Sequence, residues 1–143
     1  MKGAIQSLAV SYFLHATEDG DRVSSAVAAL TGSDAPFEED VVSGHFGNSI
    51  RRVDLHLHGE EAAMALERLV ASLPSSVRAS IAHEIDNYVD EHSSLFLRLD
   101  KQKLVLGQVA MGTDDVVWLK VKPRGFVMKG RGRDFFYDML MAK

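Results

Sequence analysis

The chain has 143 residues, 46% hydrophobic and 25% charged, enough for one domain with a real core and too few for two comfortable ones. It contains no cysteine, which excludes a disulfide framework, a thiolate nucleophile and a cysteine zinc site. The net charge of −4 conceals a split, because residues 1–115 hold 9 Lys and Arg against 18 Asp and Glu, whereas residues 116–143 hold 7 against 2.

The first element predicted is a strand over 4–16. Leu8, Val10, Tyr12 and Leu14 fall on one face and Ser7, Ala9, Ser11, Phe13 and His15 on the other, the period of a half-buried strand. The segment TEDGDRVSSAVAAL follows with Thr17 placed to cap a helix. Val23, Ala26, Val27 and Leu30 lie at helical spacing, and Gly32 is the stop. After Pro36 a short strand, FEEDVVS, leads into GHFGN at 44–48, and SIRRVDLHLH leaves it as a second strand. Gly59 ends that strand. EEAAMALERLVASL is a helix, Pro74 breaks it, and SSVRASIAHEI begins another. SLFLRLD is a strand, KQKLVLGQVAMGTDD a connector, and VVWLKVK a last strand ended by Pro123. Residues 1–123 thus read as one domain. Residues 124–133, with three glycines and no apolar period, read as a mobile basic linker, and DFFYDMLMA as a short docked helix. Interspersed strands and helices joined by short turns predict an α+β two-layer sandwich, a mixed or antiparallel sheet with helices on one face.

If helices cover one face, the other carries the alternate residues of each strand. These are Ser11, Phe13 and His15; Arg52, Asp54, His56 and His58; Phe96, Arg98 and Asp100; Trp118, Lys120 and Lys122. Aromatic rings offer stacking platforms for bases, and Lys and Arg between them neutralise phosphates. The alternative is that Phe13, Phe96 and Trp118 are covered by DFFYDMLM or by a second subunit. Residues 120–133 add six basic residues and no acidic one, either a footprint for a polyanion or a solvated tail. Asp54, His56 and His58, alternate residues of one strand, are a weak metal candidate with no further ligand identified.

Enzyme signatures are missing: there is no G-x-S-x-G, no P-loop and no H-E-x-x-H. No apolar run approaches the roughly 18–20 residues of a membrane span, and the opening alternation with Gln6, Ser7 and Ser11 is unlike a signal peptide. A cytoplasmic, non-membrane protein without cofactor is expected.

Five pieces in order, FLHATED (13–19), GHFGNSI (44–50), the helix pair between 60 and 85, LDKQKLVLG (99–107) and VVWLKVK (116–122), resemble the archaeal RNA-binding protein family described as predicted exosome subunits. That family usually has proline after the loop asparagine, where Ser49 stands here. The resemblance implies the two-layer α/β sandwich of a large-subunit ribosomal protein, a role in RNA binding associated with RNA processing or degradation by the exosome, and no catalytic residues. Glycines in GHFGN permit close backbone approach to a phosphate while His45 and Phe46 project; a purely structural hairpin is the alternative. The RNA-binding residues expected are therefore His45, Phe46, Asn48, Arg52, Phe96, Arg98, Lys101, Lys103, Trp118, Lys120, Lys122, Arg124, Lys129, Arg131 and Arg133. The second expectation is a homodimeric or complex-forming module that uses the aromatic face as a protein interface.

Overall fold

The computed structural model describes residues 3–45, 48–125 and 131–142. In chain order it contains β1 (Ile5–Leu14), α1 (Gly20–Thr31), β2 (Glu38–His45), β3 (Asn48–His58), α2 (Gly59–Ser72), α3 (Ser75–His83), a 3₁₀ turn (Ile85–Asn87), β4 (Leu95–Asp100), α4 (Lys101–Val105), β5 (Val116–Pro123) and α5 (Gly132–Met141). The strands form one antiparallel sheet in the order β2-β3-β1-β5-β4. An α+β sandwich with helices on one face is what the strand and helix periods predict.

The inward residues of β1, β3, β4 and β5 are all buried: Leu8, Val10, Tyr12 and Leu14; Val53, Leu55 and Leu57; Leu95, Leu97 and Leu99; Val117, Leu119 and Val121. Ala62, Leu66 and Leu69 of α2 close over them. Gly59 makes the β3-to-α2 passage possible, since its φ of 58° turns the strand directly into a helix.

Four local expectations change. β1 stops at Leu14, because His15 and Glu18 close a turn through a backbone bond of 3.0 Å. Asp19, not Thr17, caps α1: it is the extended residue next to the helix, and its carboxylate accepts from the Asp21 N–H. The connector after β4 opens with α4, capped by the Asp100 carboxylate accepting from the Lys103 N–H. Finally, α5 begins at Gly132, so Gly132 and Arg133 are helical rather than linker. Phe136 and Leu140 of α5 join the single core, and the helix rests on α3 and the 3₁₀ turn. DFFYDMLM therefore docks on the helical layer and leaves the aromatic sheet face open.

Candidate nucleic-acid interface

Strand register assembles the outer face row by row. Arg98 stands opposite Trp118, Trp118 opposite Ser11, and Ser11 opposite Asp54. One row along, Phe96 faces Lys120, Lys120 faces Ala9, and Ala9 faces His56. Lys122 faces Ser7, which faces His58. Phe13 and Trp118 meet edge to face, with ring centroids 5.6 Å apart and planes at 89°. That contact orients the indole and leaves Trp118 37% exposed; Phe96 is 39% exposed. The Lys120 ammonium stands 5.4 Å from the Phe96 ring centroid, a cation–π contact that holds it over the same surface.

Trp118 divides two clefts. One, of about 470 Å³, runs past Tyr88, Phe96, Arg98 and Met111. The other, of about 360 Å³, is framed by Phe13, Val42, Ile50, Asp114 and Asp115. Neither Val42 nor Ile50 was expected there. Ile50 shares the parity of Arg52 and Asp54 on β3, and Val42 follows Asp40 on β2, at the point where the register shifts between Val41 and Ser43. The base of the GHFGN hairpin thus borders the site, with His45 paired to Asn48. Phe46 and Lys129 lie outside the described residues, as do the side chains of His45 and Asn48.

Charge is unevenly spread over this face. Arg98 and Lys120 are exposed on the β5–β4 side with half-buried Lys122 beyond them, and Arg124 is exposed after β5 with its guanidinium beside Gly59. Toward β2, Glu38 faces Asp54 and Asp40 faces Arg52. The Arg52 guanidinium is taken by Asp54 at 3.2 Å and by Ser11 at 3.3 Å. Arg131 is exposed at the start of α5, and Arg133 pairs with Asp86 at 3.0 Å. Lys103 is exposed on α4, which packs against α1 in the helical layer.

Lys101 is a correction. It is fully buried, its ammonium 2.8 Å from Glu18, 2.9 Å from Asp115 and 2.7 Å from the Phe13 carbonyl. No phosphate can reach it. Burial pushes the Glu18 carboxyl up, but hydrogen bonds from Lys101 and the His15 N–H, with the Lys101 charge, outweigh this and hold it below the ordinary carboxylate value. Burial acts likewise on Asp115, and donation from Gln102 and Lys101 again wins, keeping its pKa low. The metal candidate also fails to assemble. Asp54 and His58 are four residues apart along an extended strand, roughly 13 Å, and Asp54 is turned to Arg52. Among the described residues no three His, Asp or Glu side chains come together to hold a metal ion, and no helix is long and apolar enough to cross a membrane.

Comparison with known proteins agrees with this chemistry. A family model described as RNA binding matches residues 7–123. The chain is 33% identical over 138 residues to RNA-binding protein PAB1135 of Pyrococcus abyssi, covering 90% of each. Solved structures with the same fold include a DUF54 protein from Methanothermobacter thermautotrophicus, at TM-score 0.71 and 24% identity over 96% of both chains. A DUF54 protein from Sulfolobus solfataricus superposes at TM-score 0.77, with 18% identity over 94% of this chain and 96% of the other.

Proposed function

Because the chain belongs to the RNA-binding family whose model spans residues 7–123, we propose that it is a non-catalytic RNA-binding protein whose contact surface is the β5–β4 half of the outer sheet face. The observation that carries this is the open aromatic surface itself. Trp118 and Phe96 are each more than a third exposed, while the helix that had the composition to cover them docks on the opposite layer. Unpaired bases stack in the cleft beside Phe96 and Trp118, and the phosphate backbone follows Arg98, Lys120, Lys122 and Arg124. The acidic margin of Glu38, Asp40, Asp114 and Asp115 repels phosphate and confines the footprint. Arg131, exposed at the start of α5, adds charge. The family description and the name of the Pyrococcus relative support RNA as the ligand.

Action in the cytoplasm belongs to this proposal through the sequence reading, and association with an RNA-degrading exosome through the resemblance. Co-purification with exosome subunits that survives nuclease treatment tests the second. The RNA reading itself is tested by titrating the protein with unstructured and duplex RNA across a range of salt. Five cationic contacts on a single strand predict a log–log slope near −3.5, at about −0.7 each, and tighter binding to the unstructured RNA. Absence of binding at low salt, or a flat salt response, contradicts it.

A further inference from the structure

On the helical side of the sheet another cleft, of about 470 Å³, opens between the first turn of α1 and the β2 edge. Leu14, Phe37 and Val53 give it an apolar floor, and Glu18, Asp19, Asp21 and Glu39 face a single guanidinium, Arg51, around its walls. Three of these carboxylates are already engaged. Glu18 holds Lys101 at 2.8 Å, Glu39 holds Arg51 at 3.0 Å, and Asp19 accepts from the Asp21 N–H. Asp21 makes no ion pair among the described residues.

An acidic rim is common on protein surfaces and would mean nothing alone. Tyr12 is the independent observation. Its side chain lines the cleft, is 1% exposed, and its hydroxyl has no hydrogen-bond partner among the described residues. Nearly all buried polar groups in folded proteins are paired, so a phenylalanine would serve the core better than this tyrosine does. Burial, and after it the charge of Glu39, push the phenol up to about 12. The hydroxyl therefore stays protonated at any physiological pH and can accept a hydrogen bond from a cationic donor.

We propose that this cleft binds a small organic amine, with an ammonium group held by Asp21, Glu39 and the Tyr12 hydroxyl and a short alkyl body lying over Leu14, Phe37 and Val53. An anion is disfavoured by the carboxylates. A bare metal ion is disfavoured by the apolar floor and by the lack of a three-ligand cluster among the described residues. The cleft lies across the sheet from Trp118, so this proposal stands independently of the RNA-binding face.

The test is a titration of the full chain with putrescine, followed by backbone amide shifts, with a butanediol of equal length and sodium chloride as controls. Saturable shifts are expected at Tyr12, Asp21 and Glu39 with the diamine and not with either control. Tyr12→Phe and Asp21→Asn should each weaken binding by about tenfold, the loss of one hydrogen bond to a charged group. Tyr12→Phe should also melt no lower than the parent and bind RNA unchanged, which separates a ligand role from a structural one. Equal shifts with the diol, no saturation at millimolar diamine, or full binding by both variants overturns the proposal.

Discussion

Lys101 shows how much one side chain decides at the site's margin. Taking an ammonium fully out of water is costly unless its charge and all three of its donors are answered. Glu18, Asp115 and the Phe13 carbonyl do that, tying the β1 end and the loop before β5 to the head of α4. Phe13 in turn packs edge to face with Trp118, so the ion triad positions the aromatic surface from beneath. Lys101→Met leaves two partly buried carboxylates facing each other and should destabilise the fold by roughly 3 kcal/mol near neutral pH. The pH dependence has a definite sign. Glu18 and Asp115 have folded pKa values below their unfolded ones, so their contribution is present above the ordinary carboxylate range and disappears as acid protonates them. Thermal melts from neutral pH into acid should therefore show parent and Lys101→Met converging at the acid end. A gap that stays constant contradicts the triad. Sequence alone placed Lys101 among the RNA contacts, because a lysine between a strand and a short helix carries no mark of burial.

At the scale of elements, α5 determines how the basic end can be studied. Phe136 is fully buried in the common core and Leu140 nearly so, and a Cβ on Gly132 would collide with the Ser93 side chain and come within 2.7 Å of its Cα. Phe136→Ala should cost roughly 3–5 kcal/mol, and Gly132→Ala roughly 1–3 kcal/mol through overpacking, both read by denaturant unfolding. Truncation after Pro123 would remove this anchor along with the charge, so it cannot isolate the charge. Arg124→Gln with Arg131→Gln can, since both side chains are exposed. The double variant should keep its melting temperature and bind RNA with a salt slope shallower by about 1.4. An unchanged slope removes both residues from the footprint. The docked helix was legible from the apolar content of DFFYDMLMA. Its start at Gly132 was not, because two glycines among arginines read as linker until Ser93 is seen against the second of them. α4 was missed for a similar reason: five residues are too short for a helical period to register.

Across the whole molecule, the sheet separates two chemistries. Its helical side holds the core and the acid-rimmed Tyr12 cleft, and its open side holds aromatic rings flanked by cations. Strict alternation made that division readable from the chain, since every inward residue assigned to β1, β3, β4 and β5 is buried. The limits of the open face were not readable. They depend on the β2–β3 pairing that leaves Val42 and Trp118 lining one cleft, on the Arg52–Asp54 pair that neutralises one expected contact, and on strand order, which puts the acidic β2 at the edge away from Arg98 and Lys120. None of these has a local sequence signature. The central claim, that the exposed rings bind unpaired bases, is met most directly by titrating single-stranded RNA into the Trp118→Ala, Phe96→Ala double variant while its mass in solution is measured. Stacking contributes about 1–3 kcal/mol per base, so affinity should fall by at least about tenfold, with the fold and the oligomeric state unchanged. RNA binding at parental affinity, accompanied by conversion of a dimer to a monomer, would contradict the claim and assign the aromatic face to a protein partner.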